Sequence, residues 1–170
     1  DEIRDILVRR HDGEGWSEPL VLGNDNWRIP GCPVNGPAIA ARGPLVAVAW
    51  YTAPERHARV QLAVSRDSGR TFGAPLVVDD QGASGKVDVV LLADGTAVVT
   101  WVGRTPEGTG QVRLRDVSQS GELGPVSVLA QGQMSRNAGF PQMVQAGDRL
   151  VYAWPEPGEG DAPARVLTAW

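Results

Sequence analysis

Tryptophan closes the same pattern three times. "NGPAIAARGPLVAVAW" ends at Trp50, "KVDVVLLADGTAVVTW" at Trp101 and "GFPQMVQAGDRLVYAW" at Trp154. Each copy is an apolar strand (A), a turn carrying glycine (Gly43, Gly95 or Gly147) and a second strand (B) that ends in the indole. A polar loop follows each tryptophan, then a third strand (C: "RVQLAVS", "QVRLRDV", "ARVLTAW"). In two units a tight turn and a fourth strand come next (D: "APLVVDD", "PVSVLAQ"). Four strands in a period of about 50 residues is the pattern of a propeller blade, a unit that buries its apolar faces only against stacked neighbours. A two-sheet sandwich is the competing all-β arrangement, and it gives no reason for tryptophan to recur at one strand end.

The repeat divides the chain. Residues 1–26 supply the outer two strands of a blade ("RDILVRRHDGEGWSEPLVLGND") with no A or B before them, 27–80 and 81–131 are complete blades, and 132–170 carry three strands of a last one. The expected class is all-β, part of a β-propeller built from four-stranded antiparallel blades. The 21 glycines and 13 prolines are spread along the whole chain as punctuation between strands. Disorder is excluded, because "LVAVAWYT", "VDVVLLADGTAVVTWV" and "RLVYAW" are apolar and β-rich stretches that bury surface.

Composition narrows the function classes. A formal net charge of -4 with 42% hydrophobic residues leaves no basic footprint for nucleic acid. No stretch reaches the roughly 18 consecutive apolar residues of a helical membrane span. Cys32 is the single cysteine, so neither an internal disulfide nor a multi-thiolate zinc site forms within the chain. There is no phosphate-loop lysine motif and no H-E-x-x-H, and His11 and His57 fall in different units. No metal or cofactor is expected.

The octet "SRDSGRTF" (65–72) lies at the hairpin between C and D of the second unit, and "RHDGEGWSEP" and "SQSGELGP" occupy the same place in theirs. A serine and an aspartate that bond nearby backbone amides, followed by a glycine, make a self-contained turn, which the aromatic pins to the blade. Ser65, Asp67, Gly69, Thr71 and Phe72 match the S-x-D-x-G-x-T-[WF] Asp box. The repeats resemble those of the bacterial neuraminidase-repeat (BNR) proteins, the sialidase-like six-bladed propellers, and "DEIRDI", "GCPVNGP" and "VDVVLLADG" are similar to a bacterial subgroup of them. The resemblance implies that the box is structural and faces away from any active centre. It also implies an exported protein, periplasmic, cell-surface or secreted, whose missing N-terminal half is this chain's partner in the ring. Retaining sialidases use three arginines, a tyrosine with a glutamate partner, and an aspartate. No local motif here assigns those roles, so none is carried over.

Function is expected at the other end, where inter-blade connections and B-to-C loops surround the channel mouth. The connections are "GNDNWRIPGCPVNGP", "DDQGASGKVDV" and "QGQMSRNAGFP". The first is a rigid loop carrying Trp27, Arg28, Cys32 and Asn35, with Cys32 either a binding group or a small buried hydrophobe. Arg28, Lys86 and Arg136 recur at comparable places, and either line the mouth with charge suited to a carboxylate or phosphate or are solvated surface cations. Asp88 interrupts an apolar A strand where its equivalents are Ala38 or Pro141, and is either a general acid in the channel or a structural partner of Arg28 or Lys86. Tyr51 follows its tryptophan directly and is placed to reach the mouth, while Tyr152 is expected in the core. The B-to-C loops add Glu55, Arg56 and His57, then Arg104 and Glu107, then Glu156, Glu159 and Asp161. Two functions fit: a sialidase-like propeller that binds or hydrolyses a glycan at the mouth, and a non-catalytic propeller that docks a protein or peptide on the 23–37 loop.

Overall fold

Thirteen strands follow one another in the computed structural model, which describes residues 2–31, 34–132, 140–158 and 163–170. β1 (Leu7–Val8) pairs with β2 (Leu20–Val21). β3 (Ala38–Arg42), β4 (Leu45–Thr52), β5 (Arg59–Ser65) and β6 (Leu76–Asp79) form an antiparallel meander. So do β7 (Ala83–Leu91), β8 (Ala97–Arg104), β9 (Gly110–Val117) and β10 (Ser127–Gly132), and β11 (Gln142–Ala146), β12 (Arg149–Glu156) and β13 (Arg165–Ala169) complete the order. Among the described residues the one helical element is a 3-10 turn, Pro54–Arg56. The first sheet is slighter than its sequence suggests. Its ladder is two residues long because no inner strands of the same sheet flank it, and isolated bridges such as Ile3 with Arg28 extend it.

The tryptophans set the packing. Trp50, Trp101 and Trp154 stand on the second strand of successive sheets, opposite Gln61, Arg113 and Leu167, and are 1%, 0% and 7% exposed. Strand alternation sends Trp50 and Val48 towards the first sheet, where they pack with Leu22 and Ala63, and sends Ala47 and Ala49 the other way. There they meet Val87, Val89, Val99 and Trp101 of the third sheet in the main core. The second sheet is thus buried on both faces by its neighbours. The inner strands β3, β7 and β11 lie side by side.

A polar tie fixes each of the first two interfaces. The indole N–H of Trp50 donates to Asp25 Oδ2 at 2.9 Å, and that of Trp101 donates to Asp79 Oδ2 at 2.7 Å. Each carboxylate belongs to the outer edge of the preceding sheet, and each side chain is 5% exposed. Buried carboxylates need more than one donor. Asp25 Oδ1 also accepts from Gln61 Nε2 at 2.6 Å and Arg59 Nη2 at 3.0 Å, whereas Asp79 Oδ2 accepts from Arg113 Nη1 at 3.3 Å. Arg113 has room because residue 103 is glycine: a Cβ there would lie 2.8 Å from the guanidinium carbon.

The 65–72 turn is closed from within. Ser65 Oγ accepts from the Gly69 amide at 2.8 Å, and Asp67 Oδ1 accepts from the amides of Arg70 and Thr71 at 3.0 and 2.9 Å. Thr71 Oγ1 donates to Asp67 Oδ2 at 2.6 Å, and Gly69 takes φ +78. Phe72 packs on the core shared by the first two sheets. Arg66 reaches the Gln119 carbonyl in the next sheet's equivalent turn, and Gln119 Nε2 donates to the Asp94 carbonyl at 2.5 Å. The end of the molecule bearing these hairpins is stitched by its own turns.

Trp101→Ala is expected to cost about 3 to 5 kcal/mol in urea unfolding, as loss of a core aromatic. A cost below 1 kcal/mol on the order of a surface change would refute the interface role. The Asp67 carboxyl is held well below the usual carboxylate range, by Thr71 first and by Ser65 and the Arg70 amide. Such a group adds stability above its unfolded value of about 4 and loses it as the pH falls towards the folded value. Asp67→Asn is therefore expected to lower the thermal midpoint at pH 7, with the gap to the parent closing on acidification below about pH 4. A gap independent of pH would contradict the assignment.

Candidate functional site at the mouth of the inner strands

β7 is the central inner strand, with β3 on one side and β11 on the other. Its side chains alternate between buried and half-buried from Ala83 to Leu91. Val87, Val89 and Leu91 fill the main core, so Lys86 and Asp88 turn the opposite way. Near its start the strand bulges, with register shifts between Ala83 and Gly85 and between Gly85 and Asp88. Gly85 takes φ +99 and Lys86 φ +55. The second value is unusual for a residue with a Cβ and has to be held by its surroundings.

Asn35 holds it. Its Oδ1 accepts the Lys86 amide at 3.0 Å, and a Cβ on residue 85 would lie 2.3 Å from that oxygen. The long-range contact joins the 23–37 connection to the third sheet. Lys86 Nζ lies 5.8 Å from the centre of the Phe140 ring, and burial lowers the lysine pKa. In the same connection Trp27 meets Tyr51 edge to face, with ring centres 5.4 Å apart and planes at 81°. Tyr51 is half-buried and burial raises its pKa, so at neutral pH it is a phenol able to donate a hydrogen bond. Ammonium, amide and aromatic groups are the types that orient polar ligands.

Asp88 goes elsewhere. Its Oδ1 accepts the Val89 amide at 2.9 Å and its Oδ2 accepts the Met143 amide at 2.7 Å, so the carboxylate ties β7 to β11. The expected partners were Arg28 or Lys86; backbone amides take that place because the side chain points across the sheet interface. Burial is the larger influence on its pKa and raises it, against the two amides. Cross-strand register puts Ala38 and Gln142, the latter in place of Pro141, at its position in the neighbouring sheets.

The remaining candidates scatter. Arg28 is exposed, with its backbone bridged to Ile3. Cys32, Arg136, Glu159 and Asp161 lie outside the described residues. Glu55, Arg56 and His57 are exposed on the Pro54–Arg56 turn, and Glu156 pairs with Arg165 at 2.9 Å on the surface. Arg104 is exposed and donates to the Gly108 carbonyl at 3.2 Å, and Glu107 is held below the carboxylate range by its own amide and Thr105. Tyr152 is half-buried rather than core, its pKa raised by burial and by Asp116. One residue was missed. Arg42, the only charge in its inner strand, donates to the Leu91 carbonyl at 2.9 Å and to Gln145 Oε1 at 2.5 Å, joining β3, β7 and β11 at the end away from the mouth.

No protein-family model matches the chain and no curated protein does. Solved structures match it in fold. A Hadza microbial sialidase gives a TM-score of 0.58 at 20% identity over 97% of this chain and 38% of its own. The xylan β-1,4-xylosidase from Bacillus halodurans gives 0.55 at 13% identity over 89% of this chain and 33% of its own. A thermostable family-43 glycoside hydrolase gives 0.51 at 15% identity over 71% and 45%. The fold is that of part of a β-propeller, as in these glycoside hydrolases. The chain spans less than half the length of each.

Gly85→Ala is expected to cost more than about 2 kcal/mol, since it adds both left-handed strain and a clash with Asn35. Adding Asn35→Ala should then cost less than Asn35→Ala does alone, because in that background it also relieves the clash. Strict additivity in urea unfolding of the double-mutant cycle would dissolve the proposed contact.

Proposed function

We propose that this chain is part of a sialidase-like Asp-box propeller that binds a glycan at the mouth of its inner strands. The observation that carries the reading is the bulge at Gly85 and Lys86, held by Asn35 from another sheet. Backbone strain maintained by a long-range contact is characteristic of sites that position a ligand. The likeness to solved glycoside hydrolases supports the ligand class, and the Phe140 ring beside Lys86, with the Trp27 and Tyr51 rings on the same connection side, suits the apolar faces of sugars.

The part played by this chain is recognition. Tyr51 is a neutral phenol here, and Asp88 is engaged with backbone amides. Among the described residues, the reading therefore assigns Tyr51 and Asp88 to binding and to holding the site rather than to breaking a glycosidic bond. The same remaining blades cover the open flanks, where Ile39, Val144, Val166 and Trp170 are 62%, 58%, 70% and 79% exposed. Export follows as part of the proposal, since polysaccharide-directed propellers of this kind meet their ligands outside the cytoplasm.

Calorimetric titration of the intact protein with a panel of oligosaccharides should give binding that Lys86→Met weakens about tenfold at an unchanged thermal midpoint. Hydrolysis of a fluorogenic sialoside by the same protein would extend the reading to catalysis. Absence of any saccharide binding, with capture of an extended peptide on the 23–37 loop, would replace it with the docking function. Sedimentation of the 170-residue chain alone as a compact, soluble monomer would overturn the claim that other blades cover its flanks.

A further inference from the structure

The Pro54–Arg56 turn carries two consecutive left-handed residues that are not glycine, Glu55 at φ +51 and Arg56 at φ +67. The corresponding loop after β8 meets the same need with Gly108 at φ +89. The turn therefore spends strain to keep side chains where a glycine would leave none. Of the two, Arg56 lines a cleft of about 460 Å³, to which His57 and Arg59 also contribute, with Val77, Asp80 and Gly82 completing the wall. The volume suits one sugar unit, at the lower end of ordinary ligand pockets of about 300 to 1,000 Å³.

Its uncommitted chemistry is cationic: among the described residues the Arg56 guanidinium and the His57 imidazole have no side-chain partner, whereas Arg59 is paired with Asp25 and Asp80 accepts from Gln81 Nε2 at 2.7 Å. Arg59 gives one nitrogen to Asp25 at 3.0 Å, while its Nε is buried with no partner. The cleft opens on the mouth side, since its turn directly follows the strand that ends in Tyr51 and Thr52. Gly82 of its wall lies just before the Gly85 and Lys86 bulge in the chain, so the cleft adjoins the mouth.

We infer that this cleft is a second subsite, for an anionic saccharide unit bearing a carboxylate or a sulfate, next in the chain to the unit held at the mouth. It rests on the glycan-binding reading above. Arg56 and His57 supply the selectivity, because both are exposed and neither holds the sheets together.

The test titrates the intact protein with a tetragalacturonate, a chondroitin sulfate tetrasaccharide and neutral xylotetraose. At least one acidic probe is expected to bind about tenfold tighter than the neutral one, with the two acidic arms telling carboxylate from sulfate. Arg56→Gln with His57→Gln should erase that preference and leave xylotetraose affinity and the thermal midpoint unchanged. Equal affinities, or a preference that survives the double substitution, would overturn the subsite while the mouth reading stands. If none of the three binds, the mouth reading falls and the subsite with it.

Discussion

An indole N–H buried against the carboxylate of the preceding sheet is the tie from which the rest of this structure hangs. Apolar faces alone hold two sheets together, yet burial is non-directional and leaves them able to slide. A desolvated carboxylate does not, because any shift strands it from its donors at a cost of about 1 to 3 kcal/mol or more. Asp25 takes Trp50, Gln61 and Arg59; Asp79 takes Trp101 and Arg113. The two solutions differ in an instructive way. In the second sheet the residue opposite tryptophan is a glutamine and the arginine sits further along, opposite Thr52; in the third, the arginine stands opposite tryptophan and Gly103 yields the space.

The ties also explain how the mouth is positioned. Asp25 lies just before Trp27 on the connection that ends with Asn35, and Asp79 lies just before the segment that leads to Gly85 and Lys86. Each connection is therefore anchored at its root by the same carboxylate that locks the interface. A loop fastened this way spans few residues between fixed points, which is what lets Asn35 meet the Lys86 amide 51 positions later. Function-bearing groups on loops gain accuracy from the rigid elements that hold those loops.

Much of the architecture was legible because tryptophan, glycine and β-branched runs recur at one period, and periodicity survives any uncertainty about partners. The turn at 65–72 was legible for a similar reason: its hydrogen bonds are local, so residue type and spacing contain the geometry. The carboxylates of the ties were invisible, since Asp25 and Asp79 stand at different distances from the Leu-Val pairs (Leu20 and Val21, Leu76 and Val77) of their outer strands and no repeat marks them. The left-handed Lys86 was equally hidden. Its conformation comes from a partner in another sheet rather than from its own neighbours in sequence. Asp88 was singled out for the right oddity, a charge in an apolar strand, but a sequence carries no sign that backbone amides will take it. Arg42 shows the same oddity one inner strand earlier, but it borders a turn, where charge is ordinary.

Asp88 finds its reason in the third interface. Register places Ala130 where Asp79 stands one sheet earlier, so the carboxylate that ties the outer strands is not repeated there. Asp88 makes a tie at the inner strands instead, by accepting the Met143 amide. The exchange moves the anchor towards the axis, beside Lys86 and Phe140 rather than out at the rim. Burial works against that carboxylate, as its raised pKa records, and a chain that only needed two sheets held together has the less costly solution already in use twice. Holding the inner strands in register at the mouth is what the inner position adds, and it is the wall between β7 and β11 that gains by it.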